Sequence, residues 1–226
     1  AEHVVMSMEG CQQYIKEQHY QNELRQYKLP VNNKILLHGD SGCGKTMTAK
    51  ALANTLGRPL YIVDLSSIVS ARIGETSKNL KSVFEKAGRE RAILFLDEFD
   101  QLGSMRSTDD KDVGEMRRLV NSLLQLIDYF PENAILIAAT NHLALLDTAL
   151  TRRFQLHITY QKPDDSTLDA YYASLLASIP AHLHDFERRY DISFAEARDY
   201  CFTSVKAQLI LHLEENAAPE IAINPS

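Results

Sequence analysis

The stretch His38-Gly39-Asp40-Ser41-Gly42-Cys43-Gly44-Lys45-Thr46 constrains this chain more than any other. It follows the apolar run Ile35-Leu36-Leu37 and leads into a segment with helical character. Glycine loses more conformational freedom on folding than any other residue, so a cluster of glycines marks a place where side chains would obstruct something. The spacing is G-x-x-x-x-G-K-[ST]. Such a loop wraps main-chain N–H groups around phosphate oxygens, and the positive end of the following helix faces the same anion. Lys45 is expected to reach the β- and γ-phosphates of a nucleotide, and Thr46 to ligate Mg²⁺ through its hydroxyl. Gly39, Asp40, Ser41, Gly42, Cys43, Gly44 and Met47 complete the expected nucleotide-binding set. Cys43 reads either as a small filler or as a thiol made reactive by the helix N-terminus.

A second stretch, Ile93-Leu94-Phe95-Leu96-Asp97-Glu98-Phe99-Asp100, reads as a buried strand that ends in carboxylates. Unpaired charge is costly inside a strand, so the acids belong at its carboxyl end, where ligands sit in open α/β sheets. Asp97 suits the Mg²⁺ shell, partly through water, and Glu98 the polarisation of the water that attacks the γ-phosphate.

Strand candidates are Lys34–His38, Leu60–Asp64, Ile93–Leu96, Ala134–Ala139 and Gln155–Thr159. Between them, Lys45–Leu56 reads as a helix ending at Gly57, and Thr76–Ala87 as one ending at Gly88. Val113–Tyr129 carries an apolar stripe of 3.6-residue period through Met116, Leu119, Val120, Leu123, Leu124 and Ile127. Strand-helix alternation predicts a parallel sheet covered by helices on both faces. After Pro163 only helical periodicity remains. The expected organisation is a peripheral helical segment (1–30), an α/β P-loop NTPase domain (31–162), a small all-helical lid (163–216) and a frayed tail (217–226).

The 226 residues are 45% apolar, enough for a real core, and carry a net charge of -6, which argues against non-specific nucleic-acid binding. No apolar run reaches the length of about 20 residues that spans a bilayer. No secretory leader is visible, and the three cysteines form neither a metal pattern nor a disulfide framework. A cytoplasmic location is expected.

With these motifs the chain resembles the AAA family of ATPases, within the AAA+ class, from about Leu29 to Leu213. "ARIGETSKNLKSVFEKA" (71–87) is similar to the family's pore loop 1 and its helix, and "LDEFDQLGSMRS" (96–107) to its extended Walker B. "DVGEMRRLVNSLLQLID" (112–128) resembles the helix behind the second pore loop, and "ILIAATNHLALLDTALTRRF" (135–154) the second region of homology. The wording is most similar to stand-alone prokaryotic members.

The resemblance implies roles. Asn141 matches sensor 1, an amide that holds the γ-phosphate or the attacking water. Arg152 and Arg153 match the arginine-finger positions, which act in the neighbouring subunit's site, and either can be the finger. A finger in trans implies a homo-oligomeric ring, most plausibly a hexamer, or an open helix. "ISFAEARDY" (192–200) is similar to the stretch beside the adenine. Ser193 and Ala195 are placed to line the base, while Phe194 stands where glycine is usual and reads equally as core. Arg72 stands where threading members carry an aromatic, which weakens a polypeptide-threading reading.

The expected function is therefore Mg²⁺-dependent ATP hydrolysis, with nucleotide between sheet and lid, driving the remodelling of a protein substrate or adaptor. Two other classes stay open. One is an ATP-gated switch or scaffold without threading. The other is a nucleic-acid motor or loader, which the acidic charge disfavours. A small metabolic kinase would have no use for Asn141 together with Arg152 and Arg153.

Overall fold

One central strand explains the architecture, and the elements around it follow in chain order. The computed structural model describes residues 8–69, 73–104 and 110–217. The first elements are α1 (Met8–His19), α2 (Gln21–Gln26), β1 (Lys34–Gly39), α3 (Lys45–Leu56), β2 (Leu60–Asp64), α4 (Leu65–Val69) and α5 (Ile73–Arg89). They are followed by β3 (Ile93–Asp97), α6 (Gln101–Ser104), α7 (Asp110–Asp128), β4 (Ile135–Thr140), α8 (Thr148–Thr151) and β5 (Leu156–Tyr160). Last come α9 (Asp165–Leu176) and α10 (Phe194–Ala217). The strand order is β2-β3-β4-β1-β5 and every pairing is parallel. All six residues of β4 are buried, as befits a strand covered on both faces.

Side chains alternate across the sheet. Ile135, Ile137 and Ala139 of β4 join Ile35, Leu37, Ile93 and Phe95 on one face, where Ala49 and Ala53 of α3 and Tyr14 of α1 cover them. Leu136 and Ala138 join Leu36, Leu94 and Leu96 on the other, against Leu80 and Phe84 of α5 and Leu119, Leu123 and Ile127 of α7. From Leu119 to Ile127 the expected stripe on α7 is thus a core stripe, and the side chain of Met116 lies outside what is described.

Chain termini of the helices show where sequence signals were followed. Gly57 ends α3 in the left-handed region (φ 61°), with Arg58 N–H donating to the Ala53 carbonyl at 3.0 Å. Gly88 does not act in this way. Helix α5 runs through it to Arg89, and a Cβ at Gly88 would lie 2.7 Å from Pro131 Cγ. That glycine serves a close approach, and the left-handed residue after the helix is Arg91 (φ 52°). Helices α5 and α7 also begin three residues ahead of the positions expected from periodicity.

Two compact units divide the chain. One takes in the chain up to Gly39 and from Gly44 to Tyr160, and the other Asp40–Cys43 and the chain from Gln161 onward. Among the described residues the second unit holds helices and no strand. Asp164 caps α9 by accepting the Thr167 N–H at 2.8 Å. Ser193 and Glu196 exchange the two hydrogen bonds of a capping box at the start of α10. Leu168, Tyr172, Leu176, Leu183, Ala197 and Cys201 form its core, against which Phe194 packs, edge-on to Tyr171 with ring centroids 5.0 Å apart. Phe194 is thus part of that core. Residues 218–226 lie outside the described residues.

Candidate active site

The carboxyl ends of β1, β3 and β4 lie side by side, because β4 pairs with both of the others. Three of the motifs read from the sequence sit at those ends.

At the end of β1, Gly39 has φ 129°, and a Cβ there would fall 1.9 Å from the Tyr160 carbonyl oxygen of the neighbouring β5. Only glycine fits. Gly44 is the N-cap of α3 with φ 102°, and it offers no side chain to the first N–H groups of that helix. N–H groups at the start of a helix suit an anion, which the helix dipole also favours. Lys45, in the first turn, is buried and donates from Nζ to the Gly39 carbonyl at 2.7 Å. Thr46 follows, and its hydroxyl donates to Asp97 Oδ2 at 3.3 Å. Met47 is exposed.

Asp40–Cys43 belong to the second unit. Ala195 N–H donates to the Gly42 carbonyl at 3.3 Å, and a Cβ at Gly42 (φ 74°) would meet Ser193 Oγ at 2.7 Å. Asp40 and Ser41 are exposed. Cys43 is buried, with its Sγ 3.7 Å from the Ser41 carbonyl.

At the end of β3, Asp97 accepts the Glu98 N–H through Oδ1 at 3.0 Å, while its Oδ2 faces Thr46. Glu98 takes a left-handed backbone (φ 53°), a conformation that costs a non-glycine residue about 1–3 kcal/mol and clusters at functional sites. Burial pushes its carboxyl above the usual carboxylate range. The negative charges of Asp100, Asp97 and Asp64 push the same way, and Lys45 opposes them. A carboxyl raised in this way holds a proton more readily than an ordinary carboxylate, as a proton acceptor must.

At the end of β4 stands Asn141, half-buried, its N–H donating to Asp100 Oδ1 at 3.2 Å. Asp100 was not singled out by sequence reasoning, yet it is 3% exposed and also accepts the Thr140 hydroxyl at 2.8 Å. The only signal for it was a third acid in Asp97-Glu98-Phe99-Asp100.

Arg152 and Arg153 follow the short helix α8. Arg153 pairs with Asp128 in two parallel bonds and also donates from Nη1 to the Ala149 carbonyl. Arg152 is exposed; its N–H donates to the Thr148 carbonyl at 3.1 Å, while its side chain makes no hydrogen bond or ion pair among the described residues. Arg72 and its pore-loop reading lie outside the described residues.

The donors suit Mg²⁺. Thr46 and Asp97 supply a hydroxyl and a carboxylate, and among the described residues no group of three or more His, Cys, Asp or Glu could hold a metal by itself. Mg²⁺ is held in just this way, by one or two protein oxygens with substrate phosphates and water completing the octahedron.

Comparison with known proteins agrees with this geometry. The family described as "ATPase family associated with various cellular activities (AAA)" matches residues 35–162. "Uncharacterized AAA family ATPase y4kL" of Sinorhizobium fredii is 36% identical over 87% of this chain and 60% of its own length. A "Putative 26S proteasome regulatory subunit homolog" of Methanothermobacter thermautotrophicus is 33% identical over 65% of this chain and 40% of its own. The chain thus spans less than two thirds of the length of these relatives. In fold it is similar to the crystal structure of the FIGL-1 AAA domain in complex with ADP, with a TM-score of 0.75 at 21% identity, covering 95% of this chain and 75% of that one. Among the described residues no helix is long and apolar enough to cross a membrane. The family match covers more than half of the chain and coincides with the glycine loop, the acidic strand end and the strand before Asn141: the chain belongs to the AAA family of ATPases.

Proposed function

We propose that this chain hydrolyses ATP with Mg²⁺ at the ends of β1, β3 and β4, and does so within a ring of identical subunits, most plausibly six, that remodels a protein partner. The observation that carries the reading is the approach of Thr46 Oγ1 to Asp97 Oδ2, beside a Glu98 whose carboxyl is raised.

The division of labour follows from the side chains. Backbone N–H groups from Gly39 to Thr46, with Asp40, Ser41, Gly42 and Cys43 between, hold the phosphates, and Lys45 neutralises the β- and γ-phosphate oxygens. Met47 follows the loop on the nucleoside side. Thr46 and Asp97 would hold Mg²⁺, directly or through water, and the ion would supply charge neutralisation on the phosphate oxygens. Glu98 accepts a proton from water as the oxygen bonds to the γ-phosphorus and the bond to the β-phosphate oxygen breaks, releasing ADP and phosphate. Asn141 orients that water or the γ-phosphate.

Arg152 is the finger, reaching a neighbour's γ-phosphate, because Arg153 is already committed to Asp128 and the Ala149 carbonyl. A finger that serves another subunit needs a head-to-tail interface, which closes into a ring when the rotation permits. A protein partner is favoured by the acidic net charge and by the proteasome-subunit name of the Methanothermobacter relative. Cys43 and Cys201, buried and in no disulfide among the described residues, suit a reducing compartment, the cytoplasm.

The test is Glu98→Gln. The variant should bind ATP as the parent does and lose turnover by at least about a hundredfold. Normal turnover in that variant removes Glu98 from its role.

A further inference from the structure

Two bonds between the segment after β3 and the end of β4 differ in kind. Phe99 N–H donates to the Ala139 carbonyl at 2.8 Å, an ordinary main-chain stitch. One residue further on, the Asp100 carboxyl is buried to 3% exposure beside Thr140 and Asn141. The main-chain bond already joins the two segments. A buried carboxylate is costly unless donors converge on it, so its presence asks for a purpose beyond holding strands together.

The donors identify that purpose. Both meet at one oxygen: the Thr140 hydroxyl at 2.8 Å and the Asn141 N–H at 3.2 Å reach Asp100 Oδ1. The Thr140 hydroxyl in turn accepts the His142 N–H at 3.0 Å. The backbone on both sides of Asn141 is therefore tied, through Thr140, to a single carboxyl oxygen. On its own segment Asp100 lies two residues after Glu98, inside the turn closed by Gln101 N–H on the Glu98 carbonyl at 3.0 Å. The same short turn thus carries the proton acceptor and the group that fixes the amide opposite.

We propose that Asp100 is a positioning residue that holds Asn141 in fixed register with Glu98, so that the amide and the carboxylate address the same water. The inference rests on the hydrolytic reading given above and adds a residue to it. An error of 1 Å in such a pair is enough to cost two orders of magnitude in rate. Substrate binding depends on the glycine loop and Lys45, whereas the hydrogen bonds of Asp100 go to Thr140 and Asn141, so the effect should fall on kcat.

The test is a double-mutant cycle read in steady-state ATPase kinetics with the full chain at pH 8. Asp100→Ala should lower kcat by about 10- to 100-fold while KM changes less than about threefold. Asp100→Asn keeps an acceptor at Oδ1 and should recover to within about fivefold of the parent. In an Asn141→Ala background, Asp100→Ala should lower kcat by less than about twofold further, because the residue it positions is gone. Equal losses in both backgrounds overturn the proposal, as does a loss confined to KM. If thermal melts show that Asp100→Ala does not fold, Thr140→Val serves the same cycle, since it removes one donor at nearly constant shape. Its loss should likewise vanish without Asn141, and persistence of that loss overturns the proposal. Normal turnover by Glu98→Gln would sink the hydrolytic reading itself, whereas a dead Glu98→Gln with an additive cycle sinks only the role of Asp100.

Discussion

Arg153 lays its guanidinium along the Asp128 carboxylate, with Nε 2.7 Å from Oδ1 and Nη2 2.9 Å from Oδ2, and so separates two adjacent arginines that look alike in sequence. One is a strut between α7 and α8, and the other projects from the same turn. The pair is partly exposed, so its electrostatic worth is modest, but its two-point geometry fixes direction.

The two arginines should therefore fail differently. Arg152→Ala should lower kcat by roughly a thousandfold or more at unchanged melting temperature. Arg153→Ala should destabilise by about 1–2 kcal/mol through the lost pair and the orphaned Ala149 carbonyl. Mixed with Lys45→Ala subunits, the Arg152→Ala protein should regain part of its activity. No rescue in verified mixed rings, or a dead Arg153→Ala of full stability, would reverse the assignment.

As the proposed base, Glu98 should give the reaction its acid limb. Its carboxyl is raised, chiefly by burial and then by Asp100, Asp97 and Asp64, against the pull of Lys45. A base works only when deprotonated, so a raised value moves the loss of kcat on acidification to higher pH than an ordinary carboxylate would show. Asp100→Asn removes a negative neighbour and should move that limb down. An unmoved limb in a pH series of kcat means another group titrates there.

Glycines 39 and 44 should separate folding from binding. Gly39→Ala places a Cβ against main chain of β5 in a left-handed backbone, and the two penalties together should cost roughly 3 kcal/mol or more in urea unfolding. At Gly44 a Cβ meets nothing within 4 Å, so Gly44→Ala should unfold later than Gly39→Ala yet bind ATP more weakly. Equal stabilities would contradict the close approach seen at Gly39.

Chelation should abolish turnover. With EDTA in excess, kcat should fall by at least about a hundredfold and return on adding Mg²⁺. Thr46→Ala should need more Mg²⁺ to reach half its own maximum. Full activity in EDTA would leave the Thr46–Asp97 oxygens without a metal role.

Much of this was legible because it is local. The glycine loop, the apolar strands and the caps of α3 depend on neighbours a few residues away. Strands β3 and β4 each run one residue further than their apolar runs suggest, to Asp97 and Thr140, because pairing in the sheet continues past the last apolar side chain. Gly88 misled because its reason is Pro131, far along the chain. The arginines could not be told apart because Asp128 lies 25 residues before Arg153. Asp100 reads in sequence only as a further acid after Asp97 and Glu98, and its partners Thr140 and Asn141 are 40 and 41 residues away. Long-range partners of this kind carry no periodicity for a sequence to display.

The strand order has a last consequence. With β4 between β1 and β3, the sheet becomes a gauge graduated in steps of about 4.8 Å, and the lysine-bearing turn and the acidic turn stand two graduations apart, about 10 Å. That interval is set by main-chain pairing and not by any side chain, so the outward faces of the flanking helices can change while the chemistry keeps its calibration.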